Sequence, residues 1–240
     1  MSPPTDAGPA ELLRWLRTTD EEPVAFVRDV LNTVLWVVAI GLVLFAVSGV
    51  WPPMVAVESG SMEPQMERGD LVFVMDEGRL AGDGSHADTG VVTYRAGERS
   101  GYQSFNDYGD VIIFAPDGNA RETPIIHRAM FWVESGENWY DEANPAYIAG
   151  ASNCRELANC PAPHAGFITK GDDNAGYDQV GFAPHSGPVK PSWVVGKAKL
   201  RIPWLGWIRL SLAATPAPEP LESPGRPAIG SATAPAVVPT

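Results

Sequence analysis

The sequence is poor in lysine and has few positive charges of any kind. It contains four lysines in 240 residues, and 17 Lys and Arg stand against 29 Asp and Glu, for a formal net charge of -12. Nucleic-acid binding relies on basic side chains that neutralise phosphates, so this balance excludes a nucleic-acid partner. The acidity indicates either a surface that keeps the protein soluble or adaptation to high salt, which screens a dense acidic surface. The scarcity of lysine favours adaptation to high salt.

Cysteine is also scarce, since Cys154 and Cys160 are the only two. Two cysteines do not make a disulfide framework. They can close a small loop if this part of the chain lies in an oxidising compartment, or they can be unrelated thiols. His164, His185 and the acids near them do not show the spacing of zinc ligands, so the sequence predicts neither a metal nor a cofactor.

Charge is absent from one long segment, residues 30–57, whose first part (30–51) is a nearly continuous apolar run. About 20 apolar residues suffice for a helix to cross the hydrocarbon core of a membrane. An interfacial Trp51 and the helix-stopping Pro52 and Pro53 close the run. A core helix would be shorter and keep a polar face, and a cleaved signal peptide would be shorter and nearer the N-terminus. Residues 30–51 are therefore predicted to be a retained transmembrane helix.

The arginines around this segment predict its orientation. Arg14, Arg17 and Arg28 precede the helix, whereas the first cation after it is Arg68. By the positive-inside rule, residues 1–29 are a cytoplasmic arm and the rest of the chain lies outside the cytoplasm. The expected location is the cell membrane, with a single crossing.

Beyond the apolar segment, short runs rich in Val, Ile and Phe are typical of strands, and none has a long helical period. Residues 54–213 are therefore predicted to be one mainly β domain. Asp76–Tyr108 and Glu134–Ala165 are interpreted as loop insertions. The predicted strands are Leu71–Met75, Val91–Tyr94, Val111–Ala115, Ile125–Val133, Gly166–Thr169 and Val194–Leu200.

The end of this domain, residues 201–213, is rich in tryptophan and too short to cross a bilayer. Two interpretations stay open, a segment that rests on the membrane interface or a last strand packed on the core. Residues 214–240 are mostly Pro, Ala, Ser and Gly, a composition typical of a flexible tail.

Candidate catalytic side chains occur in three places. Ser59 and Ser61 lie in a loop after the apolar segment, and a serine nucleophile needs a base to remove its proton. His127 lies in a strand-like run, whereas the other histidines, His86, His164 and His185, lie in Gly- and Pro-rich loops. Asp172 and Asp178 lie in a polar segment and can orient a histidine base. Taken singly, Ser59 and Ser61 are more typical of loop serines, His127 is more typical of a core histidine, and Asp172 and Asp178 are typical of a polar turn.

Together these segments resemble, in motif, order and spacing, the type I signal peptidases of archaea and of the eukaryotic endoplasmic reticulum. The resemblance covers residues 30–210. It is to the branch of the family that has histidine, here His127, at the position where bacterial members have lysine. The two insertions depart from it, and many archaeal members continue into a second hydrophobic helix where this chain has its Pro/Ala-rich tail. The matching segments are Ser59-Gly-Ser-Met-Glu-Pro, Arg68-Gly-Asp-Leu-Val-Phe-Val, Gly109-Asp-Val-Ile-Ile-Phe, Ile125-Ile-His-Arg, Lys170-Gly-Asp-Asp-Asn-Ala-Gly-Tyr-Asp, Val195-Gly-Lys and Ile202-Pro-Trp-Leu-Gly.

The resemblance implies a signal-peptidase-like β domain and a membrane-bound serine endopeptidase that removes signal peptides from exported pre-proteins. Ser61 would be the nucleophile, His127 the general base and Asp178 the carboxylate that orients it. Asp172 would be a supporting acid or the alternative third member of the triad. The Ser59 hydroxyl and the Ser61 backbone N–H would form the oxyanion hole.

The implied partners are signal peptides with small residues at positions -1 and -3 of the cut, membrane lipid and the protein-export channel. Three alternatives remain. The first is a related membrane-anchored serine peptidase for a specialised substrate such as a pilin. The second is a β domain of the same fold that only binds. The third is a metal-dependent hydrolase that uses the scattered histidines.

Overall fold

The computed structural model describes residues 22–213 together with Gly8. The predicted cytoplasmic arm (residues 1–29) lies mostly outside the described residues, and the predicted flexible tail (residues 214–240) lies wholly outside them. The first described element is helix α1 (Glu22–Ser48), whose side chains are largely exposed. Its most apolar 18-residue window has a mean hydropathy of 2.5, so α1 is long and apolar enough to cross a membrane.

The rest of the described chain is built on an antiparallel sheet of six strands in the order β1-β2-β8-β5-β6-β7. The fold is therefore mainly β with one apolar N-terminal helix, as predicted. Strands β3 and β4 form a separate hairpin. The strands are β1 (Met54–Ala56), β2 (Leu71–Met75), β3 (Gln103–Ser104), β4 (Asp107–Tyr108), β5 (Val111–Phe114), β6 (Ile125–Val133), β7 (Gly166–Lys170) and β8 (Val194–Ile202), and the remaining helices are α2 (Tyr94–Ser100) and α3 (Gly206–Ala213).

One predicted strand, Val91–Tyr94, is wrong. Val91 and Val92 are fully buried, but the N–H of Val92 donates to a side chain, Asp110 Oδ2, at 2.9 Å. The hydroxyl of Thr93 then accepts from the N–H of Ala96, which caps α2. A short apolar run of β-branched residues can form either a strand or the buried segment that caps a helix, and the sequence alone does not distinguish these two structures.

The first insertion, residues 76–108, is not a plain loop, since it contains α2 and the β3–β4 hairpin. Asp110, fully buried at the start of β5, attaches it to the sheet. Its carboxylate accepts from the Tyr102 hydroxyl at 2.8 Å and lies 3.7 Å and 3.3 Å from the Nζ atoms of Lys197 and Lys199 on β8.

The buried surroundings of the two lysines shift their pKa values. Burial lowers the pKa of Lys197, and the negative charge of Asp110 opposes that shift. For Lys199, burial alone would lower the pKa, but Asp110 and Tyr102 outweigh it and the net shift is upward. Asp110 is thus the buried counter-charge of two lysines inside the domain.

The second insertion, residues 134–165, has no strand and is closed by a disulfide between Cys154 and Cys160. The two cysteines are therefore bonded, the first of the two possibilities left open by the sequence. The insertion has its own apolar cluster, in which Trp139 is fully buried and the Trp139 indole N–H donates to Asn159 O.

Residues 201–213 complete the sheet and then turn into a helix. Arg201 and Ile202 end β8, and Gly206–Ala213 is α3, so a last strand packed on the core is the wrong interpretation for these residues. Trp204, Leu205, Trp207, Ile208 and Leu212 remain exposed. The segment thus presents apolar side chains to its surroundings.

Replacing Asp110 with Asn tests its role as the attachment of the first insertion. The substitution leaves Lys197 and Lys199 without their buried counter-charge, so we expect the free energy of unfolding to fall by about 3–5 kcal/mol. Denaturant unfolding of the full chain in detergent, followed by tryptophan fluorescence, measures the change. Asp83→Asn, at an exposed acid of the same insertion, should stay within about 0.5 kcal/mol of the unchanged chain. Equal stability of the two variants would contradict this account.

Candidate active site

Ser61 lies in the loop between β1 and β2, which hydrogen bonds and two buried methionines hold in place. The N–H of Val57 donates to Asp70 O, and the N–H of Gly69 donates to Val57 O, so the two ends of the loop are joined. Met62 and Met66 anchor its middle in the core. The serine therefore stands on a loop that is fixed at both ends and in its middle, directly after the first strand.

The turn after β7 contacts this loop and fixes the serine from the other side. The N–H of Asp173 donates to Ser61 O at 3.0 Å. A Cβ atom on Gly171 would lie 2.6 Å from the same oxygen, closer than real Cβ contacts. Glycine is required at position 171 because only a backbone without a side chain lets the two loops approach this closely.

His127 lies on β6, opposite Ile112 of β5, and is 5% exposed. Its Nε2 atom is 2.9 Å from Ser61 Oγ, and its Nδ1 atom is 2.7 Å from Asp178 Oδ2. Asp178 follows β7 and is 1% exposed. Because the carboxylate accepts the Nδ1 proton, Nε2 is left as the acceptor that faces the serine hydroxyl.

Asp172, the other candidate carboxylate, contacts a different side chain. Arg128 Nε and Nη2 donate to its two oxygens at 2.8 and 2.6 Å. Arg128 is 1% exposed, and its Nη1 also donates to the carbonyls of Ser104, Tyr108 and Gly109. Asp172 thus neutralises a buried guanidinium that holds the β3–β4 hairpin, and the structure does not bring it to His127.

The remaining predicted site residue, Ser59, is exposed, with its Oγ 3.1 Å from Ser61 Oγ. Two of the other histidines pack against aromatic side chains. His86 stacks on Trp132, and His164 packs edge-on against Trp193. His185, by contrast, lines the cleft beside Ser61.

This cleft has a volume of about 670 Å³ and opens next to Ser61 and His127. Its wall is mostly apolar. Besides Ser59, Ser61 and His127, its polar side chains are Glu58, Thr123, Asn174, His185 and Arg209. The cleft can therefore take an apolar chain segment beside the serine. The aliphatic residues of the wall are Val55, Ala56, Val57, Ile113, Ile125, Ile126 and Val195.

Sequence reasoning missed three buried residues of this region, Arg128, Thr169 and Gln179. Arg128 directly follows His127, so the pair of Asp172 and Asp178 could have been matched with two adjacent partners on one strand. Thr169 precedes Lys170, and Gln179 follows Asp178, but neither residue type is diagnostic of a site. The Thr169 hydroxyl donates to Asp178 Oδ2 at 2.6 Å, and Gln179 hydrogen-bonds Thr169.

A serine, a histidine and an aspartate joined in this order by two hydrogen bonds, beside an apolar cleft, define a serine-hydrolase type of site. No family model matches the chain. The chain is 28% identical over 159 residues to the signal peptidase complex catalytic subunit SEC11 of Lachancea thermotolerans, covering 66% of this chain and 64% of that protein. The chain is thus similar to catalytic subunits of signal peptidase, and this similarity supports the resemblance of its motifs to the type I signal peptidases.

Two further relatives carry the same name. The SEC11 subunit of Pyricularia oryzae is 24% identical over 164 residues, which cover 68% of this chain and 66% of that protein. That of Saccharomyces cerevisiae (strain YJM789) is 26% identical over 159 residues, covering 66% and 64%. The chain thus spans slightly less than two thirds of the length of the curated relatives that it matches.

Asp172→Asn tests the structural role of the second carboxylate. The change removes the charge that pairs with buried Arg128, so we expect a loss of about 3–5 kcal/mol in the free energy of unfolding. The neighbouring Asp173 is exposed, and Asp173→Asn should change stability by less than about 0.5 kcal/mol. Denaturant unfolding of both variants in detergent makes the comparison, and an Asp172→Asn variant as stable as its neighbour would contradict the assignment.

Proposed function

We propose that the chain is a membrane-bound serine endopeptidase that removes N-terminal signal peptides from exported pre-proteins. The observation that carries the proposal is the hydrogen-bonded series Ser61, His127 and Asp178 at the mouth of an apolar cleft. The similarity to signal peptidase catalytic subunits supports the choice of substrate.

In this mechanism Ser61 Oγ attacks the carbonyl carbon of the scissile peptide bond while its proton passes to His127 Nε2. The imidazolium then gives that proton to the leaving amine, and the acyl group stays on Ser61 as an ester. A water molecule, deprotonated by the same nitrogen, attacks the ester and releases the signal peptide. Asp178 keeps the Nδ1 proton throughout and stabilises the imidazolium.

The developing oxyanion needs donors close to Ser61. The family resemblance assigns this role to the Ser59 hydroxyl and the Ser61 backbone N–H. The proximity of the two serine hydroxyls, 3.1 Å apart, supports the assignment because Ser59 is within reach of an oxygen on the attacked carbon. A donor of this kind typically contributes about 3–4 kcal/mol to the transition state.

The cleft supports a preference for small apolar side chains in the substrate. The wall residues nearest the serine loop, Val55, Ala56 and Val57, are short aliphatic side chains. A pocket formed by such residues can admit alanine and exclude larger side chains at positions -1 and -3 of the cut. We propose signal peptides with small residues at these positions as the substrates.

Helix α1 is proposed as the membrane anchor, with the β domain outside the cytoplasm. Its apolar surface is exposed along its length, and the disulfide between Cys154 and Cys160 supports an oxidising compartment for the domain. Both α1 and α3 contact β2, so the exposed apolar side chains of α3 lie near the end of the anchor. We propose that α3 rests on the membrane interface, where tryptophans are favoured.

The proposal extends to the surroundings of the enzyme. The names of the relatives refer to a signal peptidase complex, and we propose that this chain also acts where pre-proteins leave the export channel.

The acidic composition suits high salt. An archaeal and halophilic source stays a prediction, since the relatives described above are fungal.

Ser61→Ala and Ser59→Ala separate the nucleophile from an oxyanion donor. We expect Ser61→Ala to lower kcat by roughly 10⁴–10⁶-fold, because no oxygen remains to attack the carbonyl. Ser59→Ala should cost only about 10²–10³-fold, the value of one donor. Exposed Ser152, in the second insertion, provides the control Ser152→Ala with an unchanged rate.

The measurement is cleavage of a pre-protein by the full chain in detergent, together with labelling by an active-site serine reagent. Full activity of Ser61→Ala would end the proposal. A wild-type chain that binds the pre-protein, but neither cleaves it nor reacts with the reagent, would show a binding domain instead. Inhibition by a chelator would show a metal-dependent hydrolase. Cleavage restricted to one substrate would show a specialised peptidase.

Thiol labelling on intact cells tests the orientation. With Cys154 and Cys160 both changed to Ser, a single cysteine placed at exposed position 152 (Ser152→Cys) should react with a membrane-impermeant maleimide. A single cysteine in the N-terminal arm (Ser2→Cys) should react only after lysis, because α1 separates the two sides. The reverse pattern would show that the domain lies in the cytoplasm.

A further inference from the structure

Asp178 receives a second hydrogen bond that the proposed mechanism does not use. The Thr169 hydroxyl lies 2.6 Å from Asp178 Oδ2, the same oxygen that faces His127. Thr169 is fully buried, on β7. Within the described part of the chain, the other oxygen, Asp178 Oδ1, is buried without a hydrogen-bond partner. All hydrogen bonding that holds this carboxylate therefore passes through Oδ2.

Gln179 determines the direction of the Thr169 bond. Its Oε1 accepts from the N–H of Thr169 at 2.9 Å, which identifies the other end of the amide as the NH₂ group. That Nε2 donates to Thr169 Oγ1 and to Gly187 O, both at 3.2 Å. Because an amide NH₂ only donates, the threonine oxygen must accept there, and its single proton is directed at Asp178.

Charged groups near the carboxylate do not replace this bond. Lys170 follows Thr169 on β7, and it donates its Nζ protons to the carbonyls of Gly171 and Asp172. Arg128, on the adjacent strand, is engaged with Asp172. Among the described groups, the Thr169 hydroxyl is thus the only donor to Asp178 Oδ2 besides His127.

We infer that Thr169, oriented by Gln179, is a positioning residue that holds Asp178 in line with His127. Two donors on Oδ2 fix the carboxylate in one rotation, so that the Nδ1 proton of His127 has a single acceptor and Nε2 stays turned to Ser61. Thr169 does not line the cleft, so it acts through Asp178 and not on the substrate. The inference rests on the proposed function.

Thr169→Val tests this role by replacing the hydroxyl with a methyl group of similar size. Loss of one hydrogen bond to a charged group should lower kcat by about 10- to 100-fold. KM should stay within about twofold, because the cleft is untouched. The Nδ1–H proton resonance of His127 should move, because its acceptor, Asp178 Oδ2, loses the second hydrogen bond from Thr169. Gln179 Nε2 keeps Gly187 O as one acceptor but loses the threonine oxygen, so the variant also leaves one buried amide N–H unpaired and should lower the Tm.

Thr93→Val is the matched control, since Thr93 is also a buried threonine whose hydroxyl is hydrogen-bonded, but at the start of α2. It should lower the Tm and leave kcat and the His127 resonance unchanged. Thr169→Ser and Thr169→Ala form a second pair that serves if the valine variant does not fold. Both lose the threonine methyl, and only serine keeps the hydroxyl, so serine should retain near wild-type kcat and alanine should not.

The outcomes separate the two proposals. A wild-type chain without cleavage or reaction with a serine reagent would overturn the proposed function, while the His127 resonance would still report on the hydrogen bond. An active wild-type chain whose Thr169→Val or Thr169→Ala variant has the same kcat, with an unmoved resonance, would overturn the positioning role. A lower Tm with unchanged kcat would also overturn it, because the threonine would then be merely structural.

Discussion

His127 and Arg128 are neighbours on β6, and one loop supplies a carboxylate to each of them. Successive residues of a strand point to opposite faces of the sheet, so the two side chains need separate partners. Asp178 binds the imidazole and Asp172 binds the guanidinium, both within the segment that follows β7. This double attachment also brings Asp173 and Gly171 against the serine loop. The position of all three triad members thus depends on how this one loop meets β6.

Buried charges also attach the first insertion to the sheet. Asp110 contacts the backbone of Val92, the Tyr102 hydroxyl and two lysines of β8. Arg128 donates to four carbonyls in and beside the β3–β4 hairpin. Buried charges are costly unless they are paired and hydrogen-bonded. The first insertion is therefore attached to the sheet by buried charges that are paired and hydrogen-bonded. Through Arg128 it contacts the strand that carries the histidine.

The edge of the sheet formed by β1 and β2 connects the site with the apolar helices. Ser48 at the end of α1 donates its hydroxyl to Val74 O, and Arg79 donates to the last carbonyls of that helix. Trp207 of α3 packs over Gly69, in the loop that carries Ser61. The serine loop, helix α1 and the exposed side chains of α3 are thus linked through the β1–β2 edge of the sheet.

The sequence by itself determined the apolar helix, most strands of the mainly β domain and the residue types of the site, because these depend on local periodicity and on short motifs. Leu71–Met75 and Ile125–Val133 are strands with the predicted bounds. Only the tertiary structure decided which of Asp172 and Asp178 meets His127, since both lie in one polar turn and only the packing of β7 against β6 separates them. It also decided the cap at Val91–Tyr94, the helix at Gly206–Ala213 and the roles of Thr169 and Gln179. In each case the deciding partner is distant in sequence, and burial against that partner outweighs local preference.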